Sequence, residues 1–523
     1  MAEKGKVTYA SALSDESLHR NYEEALAAVP KILGGSHPLY IGGKEVFSST
    51  TFEVKSPLDT GISIGRFQNA AKEQVNAAIA AAREGFSSWS RTSWQHRVIV
   101  LRKCAEVLDG RKFQLAALIT YEVGKIRSEA VAEVEEAIDM IRYYCDCYEQ
   151  ENGYVRQMEP GEPGQECRSV LRPYGVFAVI SPFNFPVSLA AGMAGAALLT
   201  GNTVVFKPTS EAPYSGLVLY RALREGGIPE NALQFLTGPG KDFGSVIVAH
   251  PDIAGIAFTG SRDAGTWLHR MFTATQAFGK PMVAELGSKN PAIVTASADI
   301  AKAAEGVVRS AFGYSGQKCS AASRVYVQAE VMGVFLDELK ERTGKLAVGD
   351  PRERGTGLGP VIDTTAVAKF RAAVADARKD GGTVVTGGTV LSGGIFDRGY
   401  YAAPTIITGL PQSHRLVQDE LFVPVLLVSP FATLEEAVRL ANRTQYGLTA
   451  GIFSGQQKEI EYFFENIEFG VCYANRSAGA TTGAWPGSQP FGGWKGSGLS
   501  GKGVGGPYYL LSFVREQAQT RVR

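Results

Sequence analysis

The hydrophobic pattern divides the chain into a helical region followed by two series of alternating strands and helices. Between Glu73 and Tyr148, segments such as "EQVNAAIAAAREGFSSW" carry apolar residues at the spacing of amphipathic helices. Short apolar runs then alternate with helical segments: "GVFAVIS", "NTVVFKP", "ALQFLTG", "IAGIAFTG", "MVAELG" and "PAIVT". Such alternation predicts a mostly parallel sheet covered by helices.

A second series of the same kind lies between Arg324 and Phe453, with "RVYV", "GTVVTGG", "PVLLVSPF" and "TAGIFS" as its predicted strands. The pattern therefore predicts two α/β units that join near residues 285–290. An excursion at about residues 154–173, rich in Gly, Pro and charge, and a tail from about residue 505 have no core of their own. The tail contains "PYYLLSFVRE", which suits a strand added to the sheet of a neighbouring subunit.

Composition and charge exclude several classes of protein. A chain of 523 residues is too long for a single hydrophobic core. Its 53 Lys and Arg residues balance 52 Asp and Glu residues, so neither a nucleic-acid surface nor a polybasic membrane anchor is indicated. The start lacks the pattern of a signal peptide, and prolines and glycines interrupt the most apolar stretch. We therefore expect a soluble, cytoplasmic protein with no membrane or nucleic-acid partner.

The cysteines and histidines give no sign of a disulfide framework or a metal site. Six cysteines are scattered along the chain without a secretory signal, so free thiols are expected. The six histidines form no metal-ligand motif. The sequence therefore predicts no bound metal.

One cysteine stands in a stretch that suits a nucleophile. In "GYSGQKCSAASRVYV", Cys319 follows Lys318 in a Gly- and Ser-rich turn, directly before a β-branched run. A reactive thiolate needs a lowered pKa, access and usually a base within reach. Taken alone, such a cysteine is more often a small packed side chain.

Three other stretches carry groups that would complete such a site. Asn184 in "SPFNFP" offers an amide for an oxyanion, although a turn-forming Asn before Pro is the ordinary interpretation. Glu285 ends an apolar strand, where burial would raise its pKa toward that of a base; the alternative is a salt-bridged structural carboxylate. Lys207 ends a strand at the edge where α/β proteins bind ligands, or it is a solvated lysine.

Together and in this order, these stretches resemble the aldehyde dehydrogenase superfamily. The matching segments are "PFNFP", "TGNTVVFKP", "IAFTGS", "ELGSKNP", "GQKC", "ELFVPV" and "QPFGGWKGSG", and the resemblance extends from about Leu39 onward. The 34 positions between Glu285 and Cys319 also match that superfamily.

The resemblance implies covalent catalysis. Cys319 would attack an aldehyde carbonyl to form a thiohemiacetal whose oxyanion is held by the Asn184 amide and the Cys319 N–H. Hydride transfer to a nicotinamide would leave a thioester. Water activated by Glu285 would then hydrolyse the thioester to a carboxylic acid.

The resemblance also implies an NAD site. Lys207 would hydrogen-bond the adenosine ribose, and the helix opened by "FTGS" would face the pyrophosphate. Glu420 and Phe422 would hold the nicotinamide ribose and ring. The residues expected to bind the cofactor are Lys207, Ser210, Phe258, Gly260, Ser261, Gly265, Glu420 and Phe422.

Three positions depart from the pattern of the superfamily. Ser288 and Val423 stand where glycine is usual. Ser210, followed by Glu211, stands where NAD-preferring members commonly carry a glutamate for the ribose 2′-hydroxyl. Because a carboxylate repels a 2′-phosphate and a serine accommodates one, we expect the protein to accept NADP as well as NAD.

The C-terminal third resembles L-glutamate γ-semialdehyde dehydrogenases, also called 1-pyrroline-5-carboxylate dehydrogenases. The segments are "GQKCSAASRVYV", "YANRSAGATTGAWPGSQPFGGWKGSG" and "GKGVGGPYYLLSFVREQ". The resemblance implies a substrate with a distal carboxylate, which Ser320 and the amides of Gly483 and Ala484 would bind. Phe185 and Phe491 would clamp its aliphatic chain. Either Glu133 or Glu136 would orient the substrate ammonium or a catalytic water.

Other functions stay open at this point. Arg476, near the anchor loop, suits another ω-semialdehyde dehydrogenase acting on succinic or 2-oxoglutaric semialdehyde. A CoA-acylating enzyme usually lacks the base glutamate, which is present as Glu285. A non-enzymatic structural relative would be expected to have lost Cys319 or Glu285.

The resemblance implies an α/β fold with a Rossmann-like cofactor domain, an α/β catalytic domain and a β oligomerisation flap. We assign residues 1–153 and 174–285 to the NAD(P)-binding domain and residues 286–500 to the catalytic domain. Residues 154–173 and 501–523 would form the flap and tail of a homo-oligomer, a dimer or larger. The segment before about Gly35 has no assigned role.

Overall fold

A computed structural model describes residues 16–477 and 482–522. None of the helices in these residues combines the length and the apolar character needed to cross a bilayer. The α-helices are α1 (Glu16–Ala28), α2 (Lys72–Trp89), α3 (Trp94–Gly110), α4 (Lys112–Val123), α5 (Arg127–Gln150), α6 (Ser188–Leu199), α7 (Pro213–Glu225), α8 (Gly240–Ile247), α9 (Arg262–Thr275), α10 (Ile300–Phe312), α11 (Met332–Gly344), α12 (Thr364–Lys379), α13 (Arg415–Gln418), α14 (Leu434–Asn442) and α15 (Gln457–Asn466).

The strands follow the apolar runs of the sequence. They are β1 (Ser36–His37), β2 (Leu39–Ile41), β3 (Lys44–Val46), β4 (Thr51–Lys55), β5 (Ser63–Gln68), β6 (Val155–Met158), β7 (Gln165–Pro173), β8 (Val176–Ile180), β9 (Thr203–Lys207), β10 (Leu233–Phe235), β11 (Ile253–Thr259), β12 (Met282–Glu285), β13 (Asn290–Val294), β14 (Ala322–Gln328), β15 (Thr383–Thr386), β16 (Thr405–Thr408), β17 (Val425–Phe431), β18 (Tyr446–Gly447), β19 (Thr449–Phe453), β20 (Val471–Ala474), β21 (Trp494–Lys495) and β22 (Val514–Val522). Every apolar run quoted above as a strand contains one, so those predictions are confirmed.

Two seven-stranded sheets organise the molecule. The first has the order β12-β11-β8-β9-β10-β2-β3, in which β8 to β12 are parallel and β2 and β3 are antiparallel edge strands. The second has the order β15-β16-β17-β14-β13-β19-β20, parallel except for β15. The parallel strands are almost wholly buried because helices cover both faces of each sheet.

Smaller sheets complete the fold. Strands β1, β5 and β4 form one sheet, and β18 pairs with β21. The excursion forms the antiparallel hairpin β6–β7, and β22 pairs with β7 over nine residues of the same chain.

The prediction that "PYYLLSFVRE" forms a strand is therefore wrong for most of this segment, and only its last three residues belong to β22. Residues Tyr509–Phe513, inside "PYYLLSFVRE", form a 3₁₀ helix, and the strand that follows completes its own flap. The physical reason is core packing: Tyr509 stacks on Tyr144, and Phe513 packs against Phe177. Apolar side chains that fill a core in this way cannot lie along an exposed strand edge.

The chain passes from the first sheet to the second over a few residues. Strand β12 ends at Glu285, and β13 begins at Asn290. Strands β8, β9, β11 and β12 all end at the same edge of the first sheet, since they are parallel. Ligands of open parallel sheets bind at this carboxyl edge.

The segment left unassigned by the sequence contains α1, which packs against α4. Arg127, at the start of α5, donates to Glu23 at 2.8 Å. Residues 1–15 lie outside the described part of the chain.

Candidate active site

Cys319 lies on a strained turn between α10 and β14. Two non-glycine residues of this turn, Tyr314 and Ser315, have φ angles of 50° and 53°. Hydrogen bonds hold the strained backbone: the Tyr314 hydroxyl donates to the Val123 carbonyl at 2.7 Å, and the Ser315 hydroxyl donates to the Gly359 carbonyl at 2.6 Å. Strain of this kind persists only where surrounding contacts over-determine the backbone, which is typical of functional sites.

A single buried amide ties the nucleophile turn to the second sheet. The Nδ2 group of Asn290 donates to the Cys319 carbonyl at 2.7 Å and to the Ala321 carbonyl at 2.9 Å. Its Oδ1 atom accepts from the Thr449 amide at 3.0 Å. Asn290 therefore connects the starts of β13, β14 and β19 and holds the backbone of Cys319 between them.

The departure at Ser288 belongs to the same network. Asn290 Nδ2 also lies 3.0 Å from Ser288 Oγ, which accepts this bond. The serine hydroxyl is thus used by the protein itself, close to the turn that carries Cys319.

Two cavities meet at Cys319. The first, which we call the aromatic cavity, is lined by Glu136, Met140, Phe185, Leu189, Lys318, Cys319, Ser320, Thr482, Ala484, Trp485, Pro486, Gln489, Phe491, Val504 and Gly505. The second, the strand-end cleft, is also lined by Cys319. Cys319 is therefore shared by two spaces.

Most of the predicted substrate residues line the aromatic cavity. Phe185, Ser320, Ala484 and Phe491 all do so. The Ala484 amide, however, donates to the Thr482 hydroxyl at 3.0 Å. Gly483 is not among the lining residues, and a Cβ there would lie 2.5 Å from the Arg476 guanidinium. The structure thus brings four of the five predicted residues to one cavity.

The strand-end cleft collects the residues predicted for the cofactor. Its lining includes Asn184, Lys207, Ser210, Phe258, Gly260, Ser261, Glu420 and Phe422. Gly265 is not part of this lining: it lies within α9, where a Cβ would lie 2.2 Å from the Leu286 side chain. The absence of a side chain at Gly265 allows α9 to pack closely against Leu286, which follows the last strand of the first sheet.

Glu285 is buried at the end of β12, with 5% of its surface exposed. Its Oε2 atom accepts a hydrogen bond from the Gly493 amide at 2.9 Å, and its backbone pairs with Gly498. Burial raises the pKa of this carboxyl well above its usual value, and the Gly493 amide partly opposes the shift. The ordinary alternative, a salt-bridged carboxylate, is not what the described residues form.

Ionisation of the Cys319 thiol is unfavourable in its surroundings. Burial raises its pKa to about 12, and the nearby carboxylates of Glu285, Glu420 and Glu136 act in the same direction. The Ser320 amide opposes this shift. In the protein alone the thiol is therefore neutral at physiological pH.

The structure separates the two glutamates that the sequence left as alternatives. Glu133 is fully buried in an ion pair with Lys125 at 2.6 Å and accepts from the Val187 amide at 2.8 Å. The Lys125 ammonium also lies 3.5 Å from the centre of the Phe185 ring. Glu136, in contrast, lines the aromatic cavity, and burial raises its pKa to about 7. Glu133 thus supports the segment that follows Asn184, while Glu136 faces the cavity beside Cys319.

Comparison with known proteins identifies the fold and its family. The model of the aldehyde dehydrogenase family matches residues 46–518. This chain belongs to the aldehyde dehydrogenase family. All six cysteines of this family member are free, Cys319 among them.

Relatives within this family share nearly the whole chain. The 1-pyrroline-5-carboxylate dehydrogenase of Geobacillus thermodenitrificans (strain NG80-2) is 37% identical over 514 residues, 97% of each chain. The crystal structure of 1-pyrroline-5-carboxylate dehydrogenase from Thermus with bound NAD has a TM-score of 0.93 and 35% identity, covering 98% of this chain and 97% of that one. Proline utilization A (PutA) from Bdellovibrio bacteriovorus has a TM-score of 0.92 and 34% identity, with 97% of this chain matching 52% of that chain.

Sequence reasoning missed two residues that position Cys319 and Glu285 through hydrogen bonds between a side chain and a backbone group. Asn290 was part of a quoted motif but had no assigned role, since an Asn before Pro ordinarily indicates a turn. Gly493, whose backbone amide donates to Glu285, has no side chain that could indicate this role in the sequence. Both contacts span more than 25 positions in the sequence, so only the folded chain reveals them.

We expect Asn290→Ala to lower the kcat of aldehyde oxidation at least about tenfold while changing the aldehyde KM less than threefold. The reason is that loss of the amide frees the Cys319 backbone, and small displacements of a reacting atom are costly in rate. Steady-state kinetics and thermal unfolding of the variant would measure both effects.

Asn202→Ala is the matched control. Asn202 is also buried, and its amide accepts from the Gly175 amide at 2.9 Å and donates to the Phe513 carbonyl at 2.9 Å, but it does not line either cavity. If both variants lost activity only in proportion to their loss of thermal stability, Asn290 would have no positioning role.

Proposed function

We propose that this protein oxidises L-glutamate γ-semialdehyde, the open form in equilibrium with 1-pyrroline-5-carboxylate, to L-glutamate with NAD as the oxidant. The observation that carries the proposal is the position of Cys319, where the aromatic cavity and the strand-end cleft meet. Such an arrangement lets a substrate and a cofactor reach one nucleophile from different sides. Relatives that match nearly the full chain and bear the corresponding name support the choice of substrate.

The chemistry of the strand-end cleft fits NAD. Ser181 lines the cleft, and its buried hydroxyl has no hydrogen-bond partner among the described residues. Gly260 precedes α9, whose first turn is capped by the Ser261 hydroxyl; the amides at this helix end suit a pyrophosphate. Lys207 and Glu420 would hold the two riboses. A Cβ at Gly287 would lie 2.5 Å from a Glu420 oxygen, so glycine there is required for this carboxylate to reach the cleft.

Attack on the aldehyde begins with the loss of a proton from Cys319. The sulfur bonds to the carbonyl carbon, and the carbonyl oxygen becomes an oxyanion that the Asn184 amide and the Cys319 N–H stabilise. Asn184 is 3% exposed and lines the cleft beside Cys319, which supports this role. Because the thiol pKa is raised in the protein alone, deprotonation has to accompany the assembly of the full site.

Bound NAD supplies the acceptor for the hydride that leaves the thiohemiacetal carbon. The Cys319 thioester that remains is hydrolysed by a water from which Glu285 takes a proton. A carboxyl whose pKa is raised is protonated below that pKa and can accept a proton only above it, so hydrolysis becomes faster as the pH rises through the Glu285 pKa. The products are L-glutamate, with its new side-chain carboxylate ionised, NADH and two protons, with one water consumed.

The aromatic cavity suits a short aliphatic chain that ends in charged groups. The rings of Phe185 and Phe491 would enclose the methylene groups, and Ser320, next to the nucleophile, would bind the distal carboxylate with the Ala484 amide. For the Ala484 amide to take part, it has to exchange its bond to the Thr482 hydroxyl for one to the substrate. Glu136 lies in the same cavity as an acceptor for the substrate ammonium.

We propose further that the protein acts as a homo-oligomer in the cytoplasm. The flap formed by β6, β7 and β22 is largely exposed in one chain and carries the exposed apolar side chains of Met158 and Val522, which a second subunit would cover. Six free cysteines suit a reducing compartment. Light scattering at micromolar protein concentration would measure the molar mass, and the mass of a single chain would contradict the proposed homo-oligomer.

The first test of the function is NADH formation with 1-pyrroline-5-carboxylate, succinic semialdehyde and a simple alkyl aldehyde. We expect 1-pyrroline-5-carboxylate to have the highest kcat/KM by at least about tenfold, because only its open form offers both a carboxylate and an ammonium to the polar groups of the cavity. Cys319→Ala provides the blank. A higher kcat/KM for succinic semialdehyde would favour the rival function and direct attention to Arg476, which packs on Gly483.

The use of NADP is a separate prediction. Ser210 lines the cleft with its hydroxyl donating to the Gly238 carbonyl at 3.1 Å, and the Glu211 carboxylate is hydrogen-bonded by Thr209. We expect measurable turnover with NADP, and we expect Ser210→Glu to lower kcat/KM for NADP at least about tenfold with little change for NAD. A preference of the unmodified protein for NAD above about a thousandfold, roughly 4 kcal/mol, would contradict the prediction.

A further inference from the structure

Some polar groups of the aromatic cavity already have hydrogen-bond or ion-pair partners within the protein. The Trp485 indole donates to Asp139 at 2.8 Å, the Thr482 hydroxyl accepts from Ala484, and Lys318 pairs with Glu129. Gln489 differs from these three: its Oε1 atom is buried and has no hydrogen-bond partner among the described residues.

The hydrogen bond made by Nε2 decides the orientation of the Gln489 side-chain amide. Nε2 lies 3.0 Å from the Cys472 carbonyl oxygen, which can only accept a hydrogen bond. The NH₂ group must therefore face Cys472, and Oε1 must be the end left without a donor. A short turn holds the residue as well, since the Gln489 amide donates to the Trp485 carbonyl at 3.1 Å.

We propose that Gln489 Oε1 accepts a hydrogen bond from the α-ammonium of the substrate and thereby selects an amino-acid semialdehyde over a semialdehyde without an amine. The inference rests on the function proposed above and adds the residue that reads the amine. A buried carbonyl oxygen without a donor is costly, and an ammonium removes that cost when it binds.

Two acceptors in one cavity suit the three donors of an ammonium. Gln489 and Glu136 both line the cavity that holds Phe185 and Phe491, the proposed clamp on the aliphatic chain. Gln489 accepts at any pH because an amide does not titrate. A substrate that lacks the amine would leave Oε1 without a donor, and sites built for a polar group discriminate strongly against analogues that lack it.

The test compares 1-pyrroline-5-carboxylate with 5-oxopentanoate, which has the same carbon chain without the amine. Gln489→Met keeps the length of the side chain and removes the acceptor. We expect this variant to lose about 10- to 100-fold in kcat/KM for 1-pyrroline-5-carboxylate and less than threefold for 5-oxopentanoate. The matched control is Gln412→Met, because the Gln412 amide is bonded at both ends, to Tyr326 and Ser429, and does not line either cavity.

Competitive inhibition by L-glutamate and glutarate extends the test to binding, independent of turnover. The unmodified protein should bind L-glutamate more tightly than glutarate, and Gln489→Met should abolish the difference. Equal losses for both substrates, or a difference that persists in the variant, would overturn the inference. If 1-pyrroline-5-carboxylate were not oxidised at all by the unmodified protein, the proposed function would fail instead, so the two failures are distinguishable.

Discussion

The site depends on one constraint, the attachment of the nucleophile turn to the second sheet through the side-chain amide of Asn290. Cys319 precedes β14 on a turn whose backbone is strained at Tyr314 and Ser315. Without a fixed anchor, such a turn would relax into a commoner conformation and move the sulfur. Asn290 supplies the anchor because it lies at the start of β13, its amide donates to the turn before β14, and its oxygen accepts from the first residue of β19.

Around this anchor, the environment of Cys319 keeps its thiol protonated and therefore weakly reactive in the protein alone. Burial keeps Cys319 neutral in the protein alone, and burial raises the pKa of Glu285 well above its usual value. Groups with raised pKa values in a cleft are typical of active sites, where a reaction must wait until all of its parts are present. A thiol that ionised freely would react with other electrophiles and oxidants before the substrate arrived.

Sequence reasoning succeeded where the information is local or comes from ordered motifs. The apolar runs predicted the strands, and the residues expected for substrate and cofactor line the two cavities, except Gly483 and Gly265. It failed at the tail, where apolar residues in "PYYLLSFVRE" fill the core beside Tyr144 instead of forming an exposed strand. Periodicity reports which residues are apolar, but the partner that buries them is decided by the rest of the chain.

The sequence by itself determined the family, the residue proposed as nucleophile and the strand ends that line the two cavities, because those signals lie in short motifs of fixed order. Only the tertiary structure decided that Cys319 lines both cavities, that Glu136 lines the aromatic cavity while Glu133 pairs with Lys125, and that Gln489 Oε1 has no hydrogen-bond partner in the described part of the chain. The physical reason is that hydrogen-bond partners such as Cys472 for Gln489 or Lys125 for Glu133 are chosen in space. Whether a polar atom is satisfied or free for a ligand therefore becomes known only when the chain is folded.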